Sequence, residues 1–329
     1  MGECVGAVAA IVPATGRYAV QGTQMRLGID LWAKRVGRQL VLADDESRPE
    51  RAAELHEELL GRDYWFVLGP YGSDSTRAVA ATRPGVLWNH GAAADDVQRL
   101  PGVVSLPSPA SRYLIALGRA IAELHPGCRI ALVTAAGPFA QFAREGIERA
   151  ASSLGLEIVG TFTLGDDPEA IAGDTPDAVL ACGSIGQELR LFRQLSIGDG
   201  IGLLAGVSPG LTAFPELLER SPEGFLAPVQ WHPDVGDSPS IGPSSREVLK
   251  HAGRPLDYVA AQAYAAALVA ERCLELDAAD PYTAARVLRT GTFFGTFELD
   301  PASGLQVGHR LSVVRWHGGR QELLLANAA

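Results

Sequence analysis

The first third of this chain repeats one unit: an unbroken apolar run, a break rich in glycine or proline, then a segment of helical spacing. "CVGAVAAIV" (4–12) is such a run. A strand with no polar alternation has to be buried on both faces. Residues 21–36 carry Met25, Leu27, Ile29, Leu31, Trp32 and Val36 at helical spacing, and "QLVLA" (39–43) reads as a second strand. Residues 49–61 open at Pro49 and stop at Gly61, the usual punctuation of a helix. "WFVLG" (65–69), a helix from about residue 74, "GVLWN" (85–89) and "GVVSL" (102–106) continue the series. Few folds accept this alternation, and a parallel sheet with helices on both faces is the one that buries such strands.

The rhythm restarts after a predicted helix at 110–125. "RIALVTA" (129–135), "EIVGTFTL" (157–164), "DAVLACG" (177–183) and "IGLLAG" (201–206) read as strands, with helices at 138–154 and 185–196. Two such blocks in 329 residues, more than one ordinary core, predict two doubly wound α/β lobes. Beyond residue 232 the alternation stops. Pro233, Pro239, Gly242 and Pro243 mark a loop over 233–244, and residues 256–276 form an alanine-rich helical pattern. The tail reads as hairpins turning at 301–304 and 317–319.

Composition narrows the function. Net charge is −10, and the arginines are scattered beside acids, as in Glu50-Arg51 and Arg144-Glu145. A nucleic-acid partner would need a basic stripe, so none is expected. No apolar run reaches membrane-spanning length. The N-terminus lacks a basic region and reads as the first strand rather than a signal peptide. The protein is therefore expected outside the cytoplasm, periplasmic or at the cell surface, if a signal has been removed, and in the cytoplasm otherwise. Cys4, Cys128, Cys182 and Cys273 are far apart with no CxxC, which excludes metal and redox motifs; Cys4 and Cys182, in apolar runs, are expected in the core. No dinucleotide fingerprint, P-loop or HExxH is present, so no cofactor or metal is expected.

Open parallel sheets bind ligands at the carboxyl ends of their strands. That rule singles out residues 13–18, 69–76 and 89–94 and their counterparts in the second block. In "DYWFVLGPYGSDST" (63–76) a buried strand delivers Ser73, Ser75 and Thr76 to the start of a helix. Hydroxyls there either cap the helix or, with its free amides, bind an anion such as a carboxylate. Asp74 opposes an anion unless it is itself the cap. "GVSPG" (206–210) matches the G-x-S-x-G of a hydrolase elbow, which makes a serine hydrolase using Ser208 the reading from another class. The residue after that serine should supply an oxyanion-hole N–H, and Pro209 has none. His90 and His232 lie in strand-end loops. Tyr18, Tyr71, Trp88, Tyr113, Phe139 and Trp231 either pack the core or wall a ligand, Trp88 most naturally as core. No catalytic constellation emerges.

Five stretches occur in order across nearly the whole chain: "VPATGRYAVQGTQMRLGIDLW", "DDESRPERAAELHEELL", "VLGPYGSDSTRAVA", "PEGFLAPVQWHP" and "LDYVAAQAYAAALVAERCLE". In these the sequence resembles type I periplasmic binding proteins, in the leucine/isoleucine/valine-binding branch of ABC-transporter receptors. The resemblance implies two doubly wound parallel-sheet lobes joined by a three-crossover hinge and closing on a small ligand, with an ABC permease as partner if the protein is exported. Crossovers are expected near 112–116, 230–236 and 294–300, dividing the chain into 1–113 plus 234–296 and 114–233 plus 297–329.

Carried over, Ser73 aligns with a serine that binds the ligand carboxylate. In "NHGAAADD" Gly91 aligns with a residue offering its carbonyl and Ala93 with a threonine, while Asn89, His90 and Ala92 share the loop. In the second lobe Phe139 stands where the family has a tyrosine, Ser184-Ile185 where it has a second aromatic, and Ser208 near the acid that pairs with a ligand ammonium. Losing that acid would leave a buried ammonium unpaired, at a cost of several kcal/mol. The expected ligand is therefore a small carboxylate- or amide-bearing molecule, aromatic or amino-acid-like, rather than leucine or valine. A cytoplasmic ligand sensor of the same fold is the alternative.

Overall fold

The structure, a computed structural model, describes residues 6–82, 85–198, 200–236 and 238–329. Cys4 and the expected start of the first strand lie outside the described residues. In chain order the first elements are β1 (Val8–Val12), α1 (Ala19–Val36), β2 (Leu40–Asp44), α2 (Pro49–Leu60), β3 (Val67–Leu68), α3 (Ser73–Ala81), β4 (Leu87–Asn89), α4 (Asp95–Gln98) and β5 (Val103–Ser105). There follow α5 (Tyr113–Leu124), β6 (Arg129–Thr134), α6 (Pro138–Ala150), β7 (Glu157–Thr163), α7 (Pro168–Gly173), β8 (Ala178–Cys182), α8 (Ile185–Gln194), β9 (Leu203–Gly206), α9 (Phe214–Leu218) and β10 (Leu226–Val229). The chain ends with α10 (Ser245–Ala252), α11 (Tyr258–Leu276), α12 (Pro281–Val287), β11 (Thr290–Thr292), β12 (Gly295–Phe297), β13 (Ser312–His317) and β14 (Arg320–Leu325).

These elements form two compact units. The first comprises the chain up to Pro109 together with Gly236–His309, the second Ala110–Val235 together with Arg310–Ala329. The chain therefore passes between the units three times, after residues 109, 235 and 309. The last crossing comes later than expected, because residues 297–309 stay with the first unit. Hydrogen bonds hold them there: the Gln306 N–H donates to Gln98 Oε1, the Gln306 side chain to the Leu106 carbonyl, and the Ser108 hydroxyl to the His309 carbonyl. Residues 110–113 and 234–235, expected in the first lobe, belong to the second unit.

The first unit is built on a five-stranded parallel sheet in the order β2-β1-β3-β4-β5. Every residue of β1 is buried. Ala9 and Ile11 pack with Ala52, Leu55 and Leu59 of α2 and Val79 of α3. The pleat turns Val8, Ala10 and Val12 to the other face, where α1 lies with Met25, Ile29 and Trp32 buried. Helix α11 lies along α1, and fourteen of its residues are buried, so the alanine-rich pattern reflects a helix with no solvent face over most of its length. Gly28 is the point of closest approach: a Cβ there would stand 1.9 Å from the Ala260 carbonyl oxygen.

The second unit carries a seven-stranded sheet, β14-β13-β10-β9-β8-β6-β7. β6 to β10 run parallel, while β13 returns antiparallel to β10 and pairs with β14 in the hairpin predicted around 317–319. Val179, Ala181, Leu204, Phe192, Phe214, Phe225 and Trp316 share one core, with the rings of Phe192 and Phe225 edge to face at 5.0 Å. Cys128, Cys182 and Cys273 are buried and free, and burial pushes all three thiols up, so none is a ready thiolate. Among the described residues no helix is long and apolar enough to cross a membrane, and no group of three or more His, Cys, Asp or Glu could hold a metal ion.

Two predictions follow from this packing. Gly28→Ala drives α1 from α11 and should cost about 3 kcal/mol, lowering Tm by several degrees in a thermal melt. The second concerns pH. Burial lowers His56 and His90 to about 4, and raises Asp45 to about 6 and Glu188 to about 7. Between about pH 4 and 6.5 the unfolded histidines bind protons that the folded ones refuse, so they cost stability on acidification. The two acids work the other way, holding protons in the fold that the unfolded chain has released. From pH 4.5 to 6 these two acids therefore largely offset His56 and His90. His56→Leu should gain on the wild type by about 1.4 kcal/mol per pH unit below 6.5, measured as denaturant midpoints across that range.

Candidate functional site

In the first unit the loops after β1, β3 and β4 meet at the carboxyl ends of the strands. The loop after β1 is fixed from the end of β2. Asp44 accepts from the Ala14 and Thr15 N–H groups, and the Ser47 hydroxyl donates to the Thr15 carbonyl while accepting from the Tyr18 N–H. These bonds set the Tyr18 ring edge-on to Tyr71, with ring centres 5.5 Å apart. Tyr18 also lies against Gly72, where a Cβ would stand 2.9 Å from its ring. Gly72 adopts φ +95°, open to glycine and strained for other residues, so this position needs glycine twice over.

Gly72 is also the residue at the N-cap of α3, and it offers no side-chain cap. Neither Ser73 nor Asp74 takes that role. Ser73 Oγ accepts from the Ala94 N–H at 3.2 Å and, among the described residues, its own hydrogen is given to no acceptor. Asp74 is held by Arg17 at 3.2 Å and Arg77 at 3.4 Å, so its charge is compensated on the helix flank. Arg17 in addition lies over the Tyr18 ring at 4.6 Å. Ser75 is buried, and Thr76 returns its hydroxyl to the Gly72 carbonyl within the first turn. Of the three hydroxyls that the sequence brought to this point, Thr76 is spent within the helix, Ser75 is buried without a partner among the described residues, and Ser73 accepts from Ala94 while keeping its hydrogen.

The loop after β4 is braced by Asn89. Its side-chain oxygen accepts from the Gly91 and Ala92 N–H groups, and its nitrogen donates to the Ala92 carbonyl and Ser105 Oγ. All four of its hydrogen-bonding positions are used, which leaves none for a solute. The Gly91 carbonyl accepts from the Gly72 N–H at 3.1 Å, tying this loop to the head of α3. Ala92 and Ala93 are buried. His90 is fully buried beside Tyr71, and burial keeps its ring neutral against a weaker pull from the Gly69 backbone. Trp88 is core.

In the second unit Tyr113, at the start of α5, packs edge-on against Phe139 at 5.3 Å, and its hydroxyl accepts from Gln230 Nε2 at 2.6 Å. Trp231 and His232, which follow Gln230, are buried, and burial lowers the His232 pKa. Ser184 caps α8 in a capping box with Gln187, so its hydroxyl serves the helix. Ser208 begins a short 3-10 turn whose Pro209 carbonyl accepts from Trp316 Nε1 and Gln321 Nε2. Its hydroxyl and its N–H both reach Glu188 Oε2 at 2.7 Å.

Glu188 is the residue that sequence reasoning missed. A carboxylate does stand beside Ser208, but it comes from α8, completely buried, and its partners are Gly183 and Ser208 themselves. The signal was present in "IGQELRLFRQ": Glu188 lies on the helical face of Ile185 and Phe192, where an apolar side chain belongs. Arg17 was missed as well. It follows Gly16 in an exposed loop, and nothing in the local sequence announces its stacking on Tyr18.

The profile described as periplasmic binding protein matches residues 7–320. No curated protein matches by sequence. Among solved structures, the ABC-transporter solute-binding protein of R. palustris in complex with benzoate superposes with a TM-score of 0.79 at 21% identity, over 98% of this chain and 97% of that one. The leucine-binding protein LivK of Thermotoga maritima gives 0.80 at 18% identity, over 97% of each chain. LivJ of Streptococcus pneumoniae in complex with isoleucine gives 0.79 at 18% identity, over 96% of this chain and 97% of that one. With the profile spanning nearly all of its length, the chain belongs to the periplasmic binding protein family.

Proposed function

We propose that this protein captures a small organic carboxylate for an ABC importer, with the ligand carboxylate held at the head of α3 by the Ser73 hydroxyl and the free amides of the first helical turn. The observation that carries this reading is the state of Ser73. Its oxygen is occupied by the Ala94 N–H while its hydrogen remains to be donated, so the group asks for an acceptor. The positive end of the α3 dipole and Arg17 favour that acceptor being an anion. Tyr18 and Tyr71 supply apolar and aromatic surface beside it. Benzoate and isoleucine, bound by the R. palustris and S. pneumoniae relatives, both carry the carboxylate that such a site reads.

Binding without chemistry fits the rest of the geometry. Ser208 faces a carboxylate rather than an imidazole, and Pro209 leaves the hydrolase elbow without its amide donor. In a receptor of this kind ligand energy shifts a conformational equilibrium that a permease then senses.

The test is a thermal-shift screen with benzoate, 4-hydroxybenzoate, isoleucine, leucine and short amides. A ligand at a hundred times its Kd should add about 2.7 kcal/mol. Ser73→Ala should weaken any carboxylate hit by about 10- to 100-fold, the worth of a hydrogen bond to a charged group, while the unliganded Tm changes little. A carboxylate that binds Ser73→Ala as tightly as the wild type would remove Ser73 from the site. A hit confined to neutral amides would replace the carboxylate by a carbonyl.

A further inference from the structure

Within the first unit, α1, α10 and α11 border a cavity of about 400 Å³. Leu31, Lys34 and Arg35 reach it from α1, spaced i, i+3 and i+4 and so on one face of that helix. Val248 and His251, one turn apart, line it from α10, and Tyr264 lines it from α11. The local sequence brings α10 here. Gly242, at φ +74°, turns the chain against Leu268 of α11, where a Cβ would stand 2.5 Å from that side chain. Pro243 follows as part of the lining, and Ser244 and Glu247 then start α10 with a capping box. The cavity is separate from the site at the head of α3. Tyr18 precedes the first turn of α1 and Arg35 sits in its last, about 25 Å further along the helix axis.

The lining is chemically one-sided. Leu31, Pro243, Val248 and the Tyr264 ring give it apolar surface, with Val248 and Tyr264 buried. Its ionisable side chains besides Tyr264 are Lys34, Arg35 and His251, and no carboxylate lines it. Basic residues in the last turn of a helix complement its dipole. Here the last turns of two helices face one cavity. Lys34 is paired with Asp30 at 2.6 Å. Arg35 forms no ion pair among the described residues, and its hydrogen-bond partner is the Tyr264 hydroxyl. The acids close enough to act on it, Glu247 and Glu271, stand outside the lining, and Glu247 is spent on the cap of α10. His251 donates its Nδ1 hydrogen to the Glu247 carbonyl at 2.7 Å, which leaves Nε2 as the open position of the ring.

We propose that this cavity is a second binding site, for a small organic anion with an apolar body. The anionic group pairs with the Arg35 guanidinium, and the body lies on Leu31, Val248 and the Tyr264 ring. The volume falls in the range of pockets that take small organic molecules, about 300–1,000 Å³. A guanidinium offers a planar fork of N–H donors, which a carboxylate, sulfonate or phosphate can engage with two oxygens. Bound there, the ligand touches α1, α10 and α11 together. It ties α10 to the helix pair that covers β1 and stabilises the first unit, whatever is held at Ser73.

The test uses two fluorescent probes with the same ring system: 8-anilinonaphthalene-1-sulfonate and its uncharged counterpart N-phenyl-1-naphthylamine. Both are titrated into the whole protein under native conditions. The sulfonate should bind at one site per chain and more tightly than the neutral probe. Arg35→Gln should weaken the sulfonate by about tenfold, the worth of a hydrogen bond to a charged group. Arg35→Glu should weaken it further, and neither change should alter the affinity of the neutral probe. Arg35 is exposed, so both variants should melt as the wild type does. Leu31→Trp, which fills the apolar part of the cavity, should weaken both probes alike, and Ser73→Ala should affect neither. A sulfonate held by Arg35→Glu as well as by the wild type, or lost in Ser73→Ala, sits elsewhere and overturns the proposal. So does a neutral probe that Arg35→Glu weakens as much as the sulfonate, or a wild-type protein that binds neither probe.

Discussion

Everything in the first unit follows from the burial of β1 on both faces. Five consecutive apolar residues, none of them exposed, oblige the chain to cover the sheet with α1 and α11 on one side and α2 and α3 on the other. Once helices occupy both faces, the strand ends are where backbone amides and hydroxyls can still meet a solute. The same constraint holds in the second unit, where β6, β8 and β9 are nearly as thoroughly buried. The position of the candidate site is thus a by-product of how the core is made, which leaves only the few side chains at the rim to be chosen.

Those few side chains differ in how they are held. Around Ser73 the fixing is done by neutral backbone contacts, with Asn89 spending all of its hydrogen-bonding capacity on one loop. Around Ser208 it is done by a buried carboxylate, which is worth more per bond but carries the cost of desolvating a charge. A hydroxyl whose partner is backbone keeps its polarity at any pH, whereas one tied to a carboxylate depends on a proton.

Much of this was legible in the sequence and some was not, for physical reasons. The strands could be read because an unbroken apolar run has few alternatives, and Ser73 because Gly72 and the following hydroxyls mark an abrupt strand-to-helix turn. The short helices α7, α9, α10 and α12 escaped because five to eight residues give too little periodicity to register. Glu188 escaped because the acid was sought in the loop after β9, whereas side chains converge in space from separate elements. The third crossing was placed too early since the bonds from Gln306 and Ser108 that hold residues 297–309 to the first unit span some two hundred positions. Asn89 looked like a contact residue, yet a side chain with four satisfied positions is a brace.

The close passage of Gly28 by Ala260 has one more consequence, in time rather than in space. The helix that covers α1 is separated from it by more than two hundred residues, and the second sheet is completed by β13 and β14 only after the third crossing. Neither unit can close its core before these late segments have been made. Until the final segments emerge, α1 exposes the stripe that α11 will cover and β10 presents an open edge, the conditions under which nascent chains aggregate.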